Sequence, residues 1–321
     1  MSLFHQLPAE VIRLICHRLP LEDVVSFVES DSHLDRIVQN TLFRDIKRLE
    51  VGWNSKGATL TFSGQSLWQP MSIQTTSNFW EDVIVRAIHL KEIVVTKAED
   101  AKDYTVLDAL CKQNYRIRRL DIKLRPGKRT VSQNTTANSY QRLTVFVTHF
   151  RRGLSTLRLE TDEKNSVEVN CDGSSAVCHF SHQYDSSLCN RLITPIFNRM
   201  LSDRANLTGV TLRVDWGEKA GLILQSAIHA ALPFEHRSRV RTLRLEIGSG
   251  VSSEHSPEIQ GVLSEYAPYL NSFIRLQHFI CDLRNSTLDP TDLENLYTTM
   301  SNELSNQGHR ISLLTSAIPC R

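Results

Sequence analysis

Apolar and polar residues alternate in a short pattern that returns along most of the chain. Three copies, at residues 156–160, 211–215 and 242–246, are nearly identical. Looser copies occupy residues 48–51, 92–96, 119–123, 278–282 and 312–315. A period of two is typical of a strand with one buried side and one solvent-facing side. The sequence therefore predicts eight related β-strands.

Between these strands, apolar residues recur every three or four positions, which is typical of helices that bury one face. A strand followed by a helix and a second strand favours parallel pairing. Strands covered on both sides would be apolar throughout, whereas these keep every second residue polar, so a one-sided sheet is predicted. The predicted helices cover residues 78–90, 104–115, 139–152, 187–201, 219–232, 257–273 and 291–305.

Two further segments predict β-hairpins inserted beside this repeating body. The first pairs residues 58–62 with residues 67–73, where Pro70 confines the second strand to a sheet edge. The second alternates toward the turn Asp172-Gly173 and away from it, over residues 167–180. A Thr-, Asn- and Lys-rich segment at residues 125–138 is predicted to be a loop.

The N-terminal residues 3–43 differ from this body and predict three short helices. Pro8 marks the start of the first helix, Pro20 its end, and Asp31 offers cap chemistry for the third helix. A unit of about forty residues buries only a small core. Its surplus of apolar residues indicates a surface that another chain covers.

These helices contain, in order, Leu7-Pro8-x-Glu10-Val11, Ile15, Leu19-Pro20-Leu21-x-Asp23-Val24, Phe27 and Leu42-Phe43. This order resembles the F-box motif, and the strand and helix body resembles a leucine-rich-repeat horseshoe. The resemblance implies an α/β protein with an F-box-like domain at 1–45 and an irregular solenoid domain at 46–321. The F-box part implies docking on a Skp-family adaptor and, through it, on a cullin ubiquitin ligase. The residues that carry this implied contact are Leu7, Pro8, Glu10, Val11, Ile15, Leu19, Leu21, Asp23, Val24 and Phe27.

By this resemblance the chain is a non-catalytic substrate receptor that binds a protein substrate on the solenoid. A different hypothesis fits the same residues. Repeat proteins need a polar cap at each end of the stack, and the N-terminal helices could serve only that purpose in a scaffold without any ubiquitin ligase role.

The three best strand copies suggest where a substrate would bind. With equivalent residues aligned, their polar side chains form columns across the sheet. These columns are either a self-neutralised ladder of surface charges or a strip of arginines that recognises carboxylates or backbone groups. The residues are Thr156, Thr211 and Thr242, then Arg158, Arg213 and Arg244, then Glu160, Asp215 and Glu246.

Composition narrows the class of partner. The chain has 37 Lys and Arg against 35 Asp and Glu, a formal net charge of +2, which predicts neither nucleic acid nor an anionic membrane as a partner. Neither a signal peptide nor a long apolar run occurs in the sequence. Seven scattered cysteines are typical of free thiols in a reducing compartment, so a cytoplasmic or nuclear location is predicted.

Candidate chemistry is sparse. Cys171, Cys178, His179, His182 and Cys189 collect possible zinc ligands, but their spacing does not match paired ligands, and packing of the thiols explains them as well. The sequence lacks nucleophile-elbow, phosphate-loop, zinc-protease and dinucleotide motifs. We therefore predict a protein that is not an enzyme and carries no metal or cofactor. An enzyme with an unrecognised site in the second hairpin is the third hypothesis.

Overall fold

The protein has a mixed α/β fold, and its chain divides into two compact units, Met1–Leu154 and Ser155–Arg321. The predicted helices at 187–201 and 219–232 lie outside the described residues, apart from three positions of the former. The computed structural model describes residues 6–29, 31–54, 57–64, 69–98, 104–125, 133–160, 166–180, 195–196, 200, 206–215, 239–248, 251–270, 273–304 and 310–314.

Three helices open the first unit, as predicted. They are α1 (Ala9–Cys16), α2 (Leu21–Glu29) and α3 (Ser32–Val38), and α3 continues into a π-helical segment, Gln39–Phe43. Pro8 is the N-cap of α1, and the Asp31 carboxylate caps α3 by accepting a hydrogen bond from the backbone N–H of His33 at 2.8 Å. The predicted cap chemistry of Asp31 is thereby confirmed.

The first unit also contains five described strands and three further helices. The strand order is β3-β2-β1-β4-β5, in which β2 runs antiparallel to its neighbours, while β1, β4 and β5 are parallel. The strands are β1 (Arg48–Asn54), β2 (Gly57–Ser63), β3 (Met71–Gln74), β4 (Glu92–Ala98) and β5 (Arg119–Arg125). The helices are α4 (Trp80–Arg86), α5 (Thr105–Cys111) and α6 (Gln133–Phe150).

Alternation in the strands decides which side of this sheet is covered. Leu49, Ile93 and Leu120 occupy matching positions on β1, β4 and β5, and all three are fully buried. The residues directly before them, Arg48 and Glu92 among them, lie on the opposite side. The first predicted hairpin is confirmed as the antiparallel pair of β2 and β3.

The second unit contains seven described strands in the order in which they occur along the chain. Only β7 runs against its neighbours, and the strands from β8 to β12 are parallel. The strands are β6 (Thr156–Glu160), β7 (Ser166–Asp172), β8 (Ser175–Phe180), β9 (Gly209–Val214), β10 (Thr242–Ile247), β11 (His278–Asp282) and β12 (Arg310–Leu314). Helices α7 (Ser256–Leu270) and α8 (Pro290–Leu304) also belong to this unit, and they contact each other.

All eight repeat-like strands are confirmed, as β1, β4, β5, β6, β9, β10, β11 and β12. The second hairpin is confirmed as β7 and β8, with Gly173 at φ +52° in its turn. Its predicted place beside the body is wrong, because β7 and β8 lie within the sheet, between β6 and β9. Val169 and Cys178 are fully buried, so the hairpin covers the same core as its neighbours and continues the sheet.

One loop prediction is partly wrong. The segment at 125–138 is helical from Gln133 onward, because α6 begins there. The apolar side of α6 that contains Leu143, Phe146 and Phe150 is buried, and this anchors a helix whose first turns are polar. Residues 126–132 lie outside the described part of the chain.

Candidate functional site

Helix α1 has apolar residues on two faces. Ile12 and Cys16 point into the helical unit and are fully buried. Val11 and Leu14 lie on the other face and are 37% and 43% exposed. A helix that needs only one buried face would place polar residues at these two positions, so the exposed face of α1 is a candidate surface for another protein.

The ten residues implied to contact an adaptor separate by burial. Leu21 and Val24 are 1% and 0% exposed, so they support the helical unit from inside and do not reach its surface. Leu14 is not among the ten implied contacts, although it lies one helical turn from Val11 and continues its apolar face. The half-buried members are Leu7, Ile15, Leu19 and Phe27, and the exposed members are Pro8, Glu10, Val11 and Asp23.

Polar contacts hold the helices against the rest of the first unit. The Arg13 guanidinium lies 2.9 Å from the carboxylate of Asp45, which ends the helical segment before β1. The Arg86 guanidinium of α4 pairs with Asp35 of α3, and the Gln39 side-chain amide donates to the Arg86 carbonyl oxygen at 2.7 Å. Helix α2 also contacts α4 and β3. The exposed face of α1 is therefore presented in a fixed orientation within this unit.

The second candidate surface is the polar side of the sheet in the second unit. The predicted columns of like residues are wrong, because β9 is shifted by two residues relative to β10. Arg244 lies beside Thr211, and Glu246 lies beside Arg213. Strand β6 is not a neighbour of β9 at all, since β7 and β8 separate them. A shift of two residues leaves each side chain on its original face, so alternation alone does not reveal it.

The observed register places opposite charges side by side instead. The Arg213 guanidinium donates to the Glu246 carboxylate at 2.6 Å, and Arg244 lies 3.1 Å from the same carboxylate. Arg244 also pairs with Asp282, which Arg284 contacts at 2.7 Å. These five residues form one continuous network across β9, β10, β11 and the segment just after β11, and we call them the ion-pair ladder.

Shorter pairs extend this polar face beyond the ladder. Arg158 lies 3.5 Å from Glu160 on β6, and His179 Nε2 lies 3.1 Å from Asp215 Oδ1. Thr156 and Thr242 are half-buried at the beginnings of their strands. Each arginine among the predicted substrate residues thus has an acidic partner, which favours a face that is already neutralised and whose exposed pairs contribute about 0 to 1 kcal/mol each.

Asp282 is the most buried acid of the ladder, with 5% of its surface exposed. Burial alone would raise the pKa of its carboxyl group. Hydrogen bonds from Arg284 and Arg244 outweigh this effect and lower the pKa to about 2. Sequence reasoning did not select Asp282 and Arg284 as site residues, although the repeat-like strand at 278–282 was the available signal.

The cysteine-rich hairpin has the properties of a packed core. Cys171 and Cys178 are buried free thiols on β7 and β8. Burial raises the pKa of Cys178 well above its usual range, which is the opposite of an activated nucleophile. In the part of the chain that the structure describes, no group of three or more His, Cys, Asp or Glu side chains could hold a metal ion. The other candidate ligands, His182 and Cys189, lie outside it.

Comparison with known proteins identifies no family for the chain. Neither the family models nor the curated proteins include a match to the chain. Within the described ranges, no helix combines the length and the apolar character needed to cross a membrane.

Proposed function

We propose that the protein is the substrate-recognition subunit of a Skp, cullin and F-box ubiquitin ligase complex. The observation that carries this proposal is the exposed apolar face of α1, where Val11 and Leu14 are 37% and 43% exposed on a helix whose other face is already packed. A Skp-family adaptor would cover this face, with Leu7, Ile15, Leu19 and Phe27 at its margin.

The remainder of the chain supports a binding role under the same proposal. Strands and helices that alternate along the chain, with mainly parallel strands, fit an irregular solenoid of the leucine-rich-repeat kind. The protein substrate would bind on the polar side of the sheet, where the predicted residues lie. Because other subunits of a ligase transfer ubiquitin, this chain needs no nucleophile, metal or cofactor. Such complexes act in the cytoplasm or nucleus.

Charge reversal on α1 tests the adaptor contact. We expect the Val11→Glu/Leu14→Glu variant of the full chain to recover less than a tenth of the Skp-type adaptor that the unaltered chain recovers, because desolvating two carboxylates opposes docking. Co-purification of the two expressed proteins measures this recovery. The melting temperature should fall by no more than a few degrees, since both side chains are already partly exposed.

The matched control places two glutamates at other exposed apolar positions, in Val145→Glu/Ile274→Glu. These side chains are 60% and 77% exposed, and the adaptor should be recovered as from the unaltered chain. The proposal is abandoned if the unaltered chain recovers no adaptor, or if both variants recover equal amounts.

A second candidate function is a repeat-scaffold interaction protein whose N-terminal helices are only a cap. The ion pair of Arg86 with Asp35 and the contacts of α2 with α4 and β3 favour it, because they join the N-terminal helices to the rest of the first unit. Removal of residues 1–45 should then lower the melting temperature of the first unit, Met1–Leu154, by several degrees, at about 2 to 4 °C per kcal/mol lost for a unit of this size. Scanning calorimetry of the full and shortened chains measures the difference, and adaptor recovery by the full chain separates the two functions.

A further inference from the structure

Basic residues stand directly before three neighbouring parallel strands of the first unit. Lys47 precedes β1, Lys91 precedes β4, and Arg118 precedes β5. The backbone N–H of Lys91 donates to the Lys47 carbonyl oxygen at 2.8 Å, and the backbone N–H of Arg118 donates to the Lys91 carbonyl oxygen at 2.7 Å. The three residues therefore lie in a row along the amino-terminal edge of the sheet, about 4.8 Å apart from strand to strand.

Two further basic side chains lie close to this row. Arg44 and His89 are both exposed, and the Lys47 ammonium donates to the Arg44 carbonyl oxygen, which fixes the turn before β1. We call Arg44, Lys47, His89, Lys91 and Arg118 the amino-edge cluster. The cluster lies where helical segments lead into strands, and such connections are well placed to contact a ligand from outside the fold.

The neighbouring acids are already engaged or flanked by other cations. Asp45 directly follows Arg44, but its carboxylate is 2.9 Å from the Arg13 guanidinium. Glu92, next to Lys91, lies between Arg48 and Arg119 in the strand register. Among the salt bridges of the described residues, none joins Arg44, Lys47 or Lys91 to an acid.

The cations of the cluster act on one another. Partial burial lowers the pKa of Lys47, and the charges of Lys91 and Arg44 lower it further, while Asp45 acts in the opposite direction. Partial burial also lowers the pKa of His89, and Lys47, Arg44 and Lys91 add to the effect. A negative ligand would relieve this repulsion between like charges.

We propose that the amino-edge cluster binds an acidic segment of a partner protein, with Asp and Glu carboxylates on Arg44, Lys47 and Lys91 and an extension toward Arg118. The positive charge is spread over the starts of three strands, which fits several carboxylates along a chain better than one phosphate group. Ile88, which is 58% exposed beside His89, offers an apolar contact to such a segment.

Nucleic acid is a poorer fit to the same surface. The whole chain has a net charge of +2, whereas nucleic-acid-binding domains carry a broad basic face. The inference goes beyond the proposed function, because an acidic segment could belong to a ligase substrate or to any other partner. It does not depend on an adaptor binding to α1.

Fluorescence anisotropy with the full chain tests the proposal. The probe is a labelled synthetic peptide of about ten residues, about eight Glu with two Leu, at low salt, where surface charges act over about 10 Å or more. We expect binding that weakens at least tenfold in Arg44→Glu/Lys91→Glu, since both side chains are exposed and the variant should fold normally. Lys47→Gln, which removes the charge with only a small loss of side-chain length, should weaken peptide binding severalfold.

The matched control, Arg36→Glu/Lys112→Glu, makes the same charge change at exposed positions on α3 and after α5, and its affinity should stay within about twofold. A peptide with Gln in place of Glu should not bind. Equal weakening by both double variants overturns the proposal. It is also overturned if a neutral peptide with one phosphoserine, or a 12-nucleotide single-stranded RNA, binds more tightly than the Glu peptide in a cluster-dependent way.

Discussion

Replacing Gly64 by alanine is expected to lower the free energy of unfolding of the first unit by about 3 kcal/mol. A Cβ atom at this position would lie 1.8 Å from the Asp45 carbonyl oxygen and 2.7 Å from the Asp45 carbonyl carbon. Atoms cannot approach so closely, so the two backbone segments would have to separate. Nearby contacts resist this movement, because the backbone N–H of Lys47 donates to the Ser63 carbonyl oxygen at 3.0 Å.

Gly52 provides the matched control in the same unit. A Cβ atom on Gly52 would meet no other atom within 4 Å, and this residue lies within β1. Gly52→Ala should therefore be neutral or stabilising by up to about 1 kcal/mol, because alanine reduces the entropy of the unfolded chain. Urea unfolding followed by tryptophan fluorescence measures both variants. Similar stabilities for the two variants would contradict the close approach at Gly64.

Asp282→Asn is expected to lower the free energy of unfolding of the second unit by about 2 kcal/mol at pH 7. The carboxyl group has an ordinary pKa of 3.8 and a folded pKa of about 2. This difference corresponds to about 2 kcal/mol of stability when the group is ionised. The asparagine side chain fits the same space but removes the charge that Arg244 and Arg284 contact.

The loss of stability in Asp282→Asn depends on pH, because the folded and unfolded pKa values of this carboxyl group differ. Because the folded pKa lies below the unfolded pKa, the contribution of Asp282 is fully present above the unfolded value of 3.8 and is lost as the pH falls through about 2. The difference in stability between the unaltered chain and Asp282→Asn should therefore shrink toward zero near pH 2. Urea unfolding at several pH values measures this difference. The contributions of the other carboxyl groups cancel in it, because both chains contain them.

Asp172→Asn is the control for this variant. Asp172 is exposed at the end of β7, directly before the hairpin turn, where asparagine is as well accepted as aspartate. Its stability should differ from that of the unaltered chain by less than about 0.5 kcal/mol at every pH. A similar loss in both variants would mean that the ladder does not depend on the Asp282 charge.

Strand existence was predictable because it depends on local pattern. The alternation in residues 242–246 buries Leu243 and Leu245 and leaves Arg244 on the polar face, as the pattern indicates. Helix boundaries were less predictable. Helix α1 ends at Cys16, before the expected stop at Pro20, because the N–H of Arg18 bonds to the Ile15 carbonyl oxygen at 2.9 Å and tightens the last turn.

The candidate surfaces were only partly predictable. The sequence showed that α1 has more apolar residues than one face requires, but it could not say which face is covered. Packing against α3 buries Ile12 and Cys16, and this leaves Val11 and Leu14 exposed. The amino-edge cluster was not predicted, because Lys47, Lys91 and Arg118 are far apart in the chain and meet only when β1, β4 and β5 pair.

By itself the sequence determined the three N-terminal helices, the eight repeat-like strands and, in strands such as β6 and β10, the side that is buried. These features follow from periods of two and about 3.6 residues, which each segment carries alone. Only the tertiary structure decided the register and the neighbours of the strands. A shift of two residues preserves every buried position, so the pairing of Arg213 with Glu246 depends on backbone hydrogen bonds between distant segments.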